Sequence, residues 1–167
     1  MKLKSLLRTS IILGLVFMNI GCDQVSKNIA REYIQPNQFL SYLNDRVILT
    51  ITENTGAMLS LGDSLSPYLK IALLQVFPLI ALLFMLRMAI VNKKLSSEMS
   101  VGLSFVVGGG IGNIYDRIRY GSVTDFMIID FGVVHTAVFN MADVSVMFGG
   151  VLILFHTLFG KKEEAFV

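Results

Sequence analysis

Little of this chain is charged. Only 16% of its 167 residues are Asp, Glu, Lys or Arg, against roughly a quarter in ordinary soluble domains. A single cysteine, Cys22, permits no internal disulfide and excludes a zinc site built on cysteines. His135 and His156 are too few and too far apart for a metal cluster. A net charge of +2 implies no nucleic acid partner. Low-complexity linkers and internal repeats are also missing, and the length fits one domain, 1–167.

Apolar residues take the place of charge. They make up 54% of the chain and gather into stretches at about 6–21, 69–91, 99–114 and 138–159. A spanning helix needs roughly 17 to 25 mostly apolar residues, which the second and fourth stretches supply. The first and third need flanking residues to complete a span. Pro78 inside the second is tolerable in lipid, where neighbours re-satisfy the backbone. Gly108, Gly109, Gly110 and Gly112 make the third a close-packing surface. The expected fold is an integral membrane protein, mainly α, with four transmembrane helices.

Basic residues orient it. Lys2, Lys4 and Arg8 precede the first stretch, Lys93 and Lys94 fill the second connection, and Lys161 and Lys162 follow the last. The positive-inside rule then puts both termini in the cytoplasm. Segments of about 24–68 and 117–137 fall on the other side. In the first, Val47-Ile48-Leu49-Thr50-Ile51-Thr52 is β-branched like a strand. Ala57-Met58-Leu59-Ser60-Leu61 is its expected partner across a Glu53-Asn54-Thr55-Gly56 turn. A small extracytoplasmic β-sheet on the membrane surface is expected from this insertion.

The amino end imitates a lipoprotein signal, with Asn19-Ile20-Gly21-Cys22 resembling a lipobox. Asn19 stands where such boxes carry a leucine-like residue, and the remainder is too apolar for a soluble exported domain. Cys22 is therefore expected to stay in the chain as a small buried residue near a helix end.

Asp116, Asp125 and Asp143 lie in or beside the apolar stretches, all near the non-cytoplasmic boundary. Ionisable residues there are costly and read as functional by default. Carboxylates brought together suggest proton chemistry, most simply an aspartic hydrolase. The alternative, a small proton-coupled transporter or channel, would spread its polar groups through the membrane depth. Here they gather at one boundary, and the second stretch has no carboxylate.

Five pieces in order carry a family resemblance: Asp23-Gln24-Val25-Ser26-Lys27, Glu53-Asn54-Thr55-Gly56-Ala57, Gly109-Gly110-Ile111-Gly112-Asn113-Ile114-Tyr115-Asp116-Arg117, Gly121-Ser122-Val123-Thr124-Asp125-Phe126 and Phe139-Asn140-Met141-Ala142-Asp143. With them the chain resembles lipoprotein signal peptidase (signal peptidase II) over nearly its whole length. It departs at Met58 and Leu59, where the family carries a small residue and an aromatic. The resemblance implies an aspartic endopeptidase of the bacterial inner membrane that cuts lipid-modified prolipoproteins before a diacylglyceryl cysteine. It further implies Asp125 and Asp143 as the catalytic pair, no metal or organic cofactor, a monomer among membrane lipids, and sensitivity to globomycin-type peptide inhibitors.

The other motif residues read as supports. Asn113 and Asp116, like Asn140 and Asp143, are three apart and share a helix face. Asn140 is placed to bond the catalytic carboxylate or the substrate backbone, and Asn54 to reach the substrate from the sheet. Asp116 and Arg117 read as a structural ion pair. Asp23 and Lys27, four apart, read equally as an interface pair or as contacts to headgroups or substrate. Gly109 and its neighbours offer the substrate's signal helix a surface for lateral entry. Asp130 is expected to be solvated, Arg87 to snorkel, and His156 to sit at the interface. The site requires nothing of His135.

Overall fold

The computed structural model describes residues 2–57, 62 and 64–159. Its first helix, α1 (Lys2–Tyr33), runs well beyond the expected end of the first apolar stretch. Asp23 and Lys27 sit inside it, one turn apart and fully buried, while Val25, Ile29 and Tyr33 remain exposed. Inward charges with outward apolar residues let the helix continue where hydropathy alone ends it. Residues 24–33 thus belong to α1, not to a surface insertion. Cys22 is exposed along this unbroken helix rather than buried near an end.

Strands β1 (Leu40–Tyr42) and β2 (Val47–Asn54) follow, joined through Leu43, Asn44 and Asp45 at positive φ. The third strand, β3 (Val123–Ile129), arrives from far along the chain and pairs antiparallel with β2, giving the order β1-β2-β3. The expected sheet is present, and β2 pairs in it with β1 and β3. Ala57 lies in a turn, and Met58, Leu59, Ser60 and Leu61 fall outside the described residues. Glu53 and Asn54 belong to β2 itself rather than to the turn.

A continuous helical segment then comprises α2 (Pro67–Ile71), a π-helical turn (Ala72–Val76) and α3 (Phe77–Val91). The widened turn sits directly before Pro78, whose ring has no N–H and crowds the preceding turn. Helix α4 (Ser97–Tyr120) opens with the Ser96 hydroxyl accepting from Met99 N–H and stops at Gly121 with φ +81°. Helix α5 (Met141–Phe159) closes the described chain.

Among the described residues, three segments are long and apolar enough to cross a membrane: Leu3–Tyr33, Pro67–Val91 and Met141–Phe159. Helix α4 is not one of them; Glu98 opens it, and Asn113, Asp116, Arg117 and Arg119 lie in its last turns. It is instead the central helix, packed on α1, α3 and α5. Val16, Leu82, Val107 and Ile114 form a core cluster across α1, α3 and α4, and Ala30, Ile34 and Phe126 tie the sheet to α1.

The glycines of α4 explain how three helices can approach at once. A Cβ on Gly109 would strike the Ala142 carbonyl of α5, and one on Gly112 would lie 2.6 Å from Asp23 Oδ2 of α1. Gly108 and Gly110 are likewise filled, by Asn19 of α1 and Leu82 of α3. The expected entry surface for a substrate helix is therefore occupied by the protein's own helices. At the opposite end Arg8 donates to Ala89 O, Asn92 O and Ser100 Oγ at 3.2, 3.1 and 2.8 Å, closing α1 onto the α3–α4 connection.

Candidate active site

Strand β3 begins three residues after α4 ends, so the register of β2 on β3 decides what meets the helix ends. Asn54 pairs with Val123, Glu53 with Thr124 and Thr52 with Asp125. Side chains alternate across a strand, which puts Asn54 and Asp125 on one face and Glu53 and Thr124 on the other. Asn54 Nδ2 donates to Asp125 Oδ2 at 3.2 Å. On the other face Thr124 Oγ1 donates to Glu53 at 2.7 Å and accepts from Arg31 Nε at 2.9 Å. Ser122 also donates to Glu53.

Asn140 caps α5. Its Oδ1 accepts the Asp143 N–H at 3.0 Å, while Asp143 Oδ2 accepts the Asn140 N–H at 3.2 Å. This is the reciprocal arrangement of a capping box, with Asp in the place of Glu or Gln. Asn140 Nδ2 then reaches Asp125 Oδ1 at 2.6 Å, so one fully buried amide links the two aspartates. Asn113 Nδ2 supplies the last carboxylate oxygen, Asp143 Oδ1, at 2.9 Å. All four oxygens thus receive an N–H, from Asn54, Asn113 and Asn140, and no Lys or Arg lies within ion-pair reach of either carboxylate among the described residues. Asp125 is 5% exposed, and burial, followed by the Asp143 charge, pushes its carboxyl up to about 6 against the pull of Asn54 and Asn140. Asp143 is only half-buried, which leaves the centre one open side.

A second cluster lies behind the first. Lys27 Nζ contacts Asp23 Oδ2 at 2.8 Å, Asp116 Oδ2 at 3.0 Å and Asn113 Oδ1 at 2.9 Å. Arg31 reaches Asp116 at 3.3 Å, and Gln24 donates to both Asp23 and Asp116 at 3.0 Å. Asp23 Oδ1 accepts the Ala142 N–H at 2.9 Å, holding the start of α5, where a helix presents free N–H groups.

These contacts revise several expectations. Asp116 pairs with Lys27 and Arg31, not with Arg117, because its carboxylate faces α1. Arg117 turns away and donates to Gly56 O at 2.8 Å and Asn113 O at 3.4 Å. Asp23 and Lys27 are each 0% exposed, so neither meets a headgroup. Gly109 admits α5 at close approach. His135 is exposed and contacts the Thr136 carbonyl. Gln24, Arg31, Glu53 and Thr124 were not anticipated. Asp23, Lys27 and Arg31 form an i, i+4, i+8 stripe, a signal readable once α1 is continued past its apolar stretch. Among the described residues, no three of His, Cys, Asp and Glu are grouped to hold a metal.

Fold and centre together define a multi-pass membrane protein whose sheet and helix ends close on paired carboxylates. The sequence pattern of the family described as signal peptidase (SPase) II matches residues 15–159. The lipoprotein signal peptidase of Borrelia turicatae is 32% identical over 165 residues, covering 94% of this chain and 96% of its own. That of Enterococcus faecalis is 33% identical over 143 residues, covering 86% and 84%. A bacterial membrane enzyme solved by the in meso method superposes with a TM-score of 0.80 at 24% identity, over 95% of each chain. The chain belongs to the signal peptidase II family.

Proposed function

We infer that this chain is a peptidase that removes the signal peptide of lipoprotein precursors, with Asp125 and Asp143 as its catalytic carboxylates. The observation that carries the residue assignment is the shared Asn140: it donates to Asp125 from its amide and to Asp143 from its backbone. Two neighbouring carboxylates in a buried site resist double ionisation, so they hold one proton between them. The charged member takes a proton from the water that attacks the scissile carbonyl. The protonated member polarises that carbonyl and later protonates the leaving amine. Burial pushes the Asp125 carboxyl up to about 6.

The whole chain acts as one domain, and α4 serves as a fourth span. Its 24 residues cover about 36 Å at the helical rise, enough for a bilayer core of about 30 Å. Arg8 bonds the carbonyl of Asn92, beside Lys93 and Lys94, at the end away from the carboxylates. That supports cytoplasmic termini and a carboxylate centre at the outer leaflet of the bacterial inner membrane, with the sheet outside. There a diacylglyceryl-modified cysteine stays at the depth of the pair, and cleavage falls just before it. Globomycin-type peptides are the expected inhibitors, and the monomer is the expected unit. Carboxylates clustered at one end, within a peptidase family, favour this over proton-coupled transport.

The test is gel-shift cleavage in detergent of a lipid-modified precursor and its unmodified form, by wild type and Asp143→Asn. Cleavage of the lipidated form alone, absent from a folded variant, is expected. Wild-type turnover by the variant refutes the residue assignment.

A further inference from the structure

An asparagine amide has a donor end and an acceptor end of nearly one shape, and its surroundings decide which way it points. Around the carboxylate pair two of three amides are set locally. The Gly56 N–H holds the oxygen of Asn54 at 3.0 Å, and the Asp143 N–H holds that of Asn140 at 3.0 Å. Asn113 has no such local N–H, because it lies inside α4, where helical bonding consumes the backbone donors. Its oxygen is held by Lys27 Nζ of α1 at 2.9 Å, with Asn140 Nδ2 more distant at 3.3 Å.

Lysine carries three donors and no acceptor, so it can meet only the oxygen of that amide. The nitrogen is then delivered to Asp143 Oδ1 at 2.9 Å. Lys27 cannot swing aside. It is 0% exposed, and its remaining contacts go to Asp23 at 2.8 Å and Asp116 at 3.0 Å. Asp23 and Arg31 on α1 and Asp116 on α4 surround it, with Asp143 of α5 and Asp125 of β3 beyond Asn113 and Asn140.

We propose that Lys27 is a positioning residue: by holding the oxygen of Asn113 it turns that amide's N–H onto Asp143 and so sets the carboxylate at which water reacts. This rests on the reading of Asp125 and Asp143 as the catalytic pair. Without Lys27 only the longer Asn140 Nδ2 contact holds the amide's oxygen, and the amide can turn that oxygen toward Asp143. Two acceptors would then face each other, and the pair would hold an additional proton more readily. A lysine that only neutralised Asp23 and Asp116 would not set the Asn113 amide, although its charge does lower the Asp125 carboxyl, so kcat is read beside the pH profile.

The experiment removes one charge of each sign, Lys27→Met with Asp116→Asn, in the full-length purified enzyme. Thermal stability, kcat, KM and the pH profile are measured on a lipid-modified precursor beside Asp143→Asn. In the folded double variant kcat falls about 30-fold with KM within about threefold of wild type. The acid limb of kcat/KM moves up by about half a pH unit or more. Wild-type kcat and an unmoved profile overturn the proposal. Where the double variant does not fold, Asn113→Asp decides, since it keeps an oxygen for Lys27 but has no N–H for Asp143. It is expected to lose kcat about 100-fold, and wild-type kinetics from it overturn the proposal. Cleavage by Asp143→Asn instead sinks the paired-carboxylate reading itself, whereas an inactive Asp143→Asn beside a fully active double variant removes only the role of Lys27.

Discussion

Two pairs of aspartates stand back to back in this molecule. Asp23 and Asp116 share Lys27, while Asp125 and Asp143 share Asn140. Each pair joins separate elements, yet their partners differ in kind. The first is balanced by Lys27 and Arg31, cations that hold α1 on α4. The second receives only neutral N–H donors, and burial there lifts Asp125 to about 6. A buried carboxylate is tolerated when an opposite charge offsets it or when it keeps a proton. The first solution builds structure, and the second leaves a proton that can move during a reaction. Asn113 joins them, touching Lys27 with its oxygen and Asp143 with its nitrogen.

The largest effect expected from breaking this division is on turnover. Asp125→Asn or Asp143→Asn should cut the cleavage rate by about 10³-fold or more while Tm stays within a few degrees. Asp116→Asn should do the reverse. It leaves Lys27 and Arg31 under-compensated in a buried site, at a cost of about 3–5 kcal/mol. Denaturant titration in detergent would show it, and the remaining folded enzyme should still cleave. Gly109→Ala pushes a methyl into the Ala142 carbonyl, next to Asp143, and should cost about 1–3 kcal/mol as well as turnover.

A smaller, graded effect comes from pH. Between 3.8 and about 6 folded Asp125 keeps a proton that the unfolded chain releases. The folded state therefore binds more protons in that window, and this contribution to stability falls as pH rises through it. The basic limb of kcat/KM should begin near or above the same value, and Asp125→Asn should flatten the Asp125 contribution to the stability curve. Smallest of all, Ser122→Ala removes one bond to Glu53 on the strand face away from the pair. About 1 kcal/mol of stability and no change in kcat are expected, by thermal melt and gel-shift assay.

Much of the site's membership was legible in the amino-acid sequence because its chemistry is local. Asp125, Asp143, Asn54, Asn113 and Asn140 stand in short motifs beside apolar stretches, and family membership bears out the resemblance those motifs carry. The mainly helical fold with a small sheet was also expected. What failed were relations between distant segments. Hydropathy ended α1 near Gly21, since Asp23, Lys27 and Arg31 look like surface residues until buried partners are known. The pairing of β3 with β2 was not foreseen, because the sequence shows propensity, not pairing.

Composition, period and spacing by themselves determined a membrane-inserted chain, the helix surfaces able to pack closely, and the aspartates worth suspicion. These follow from the solvent and from single-element geometry, which each segment carries with it. Only the tertiary structure decided that Asp116 answers to Lys27 and Arg31 rather than Arg117, that the α4 glycines admit the protein's own helices, and that three asparagines converge on Asp125 and Asp143. Those choices depend on the register and approach of elements far apart in the chain, where a contact such as Ser145 to Asn19 spans 126 positions. Packing sets such distances, and no local pattern encodes them.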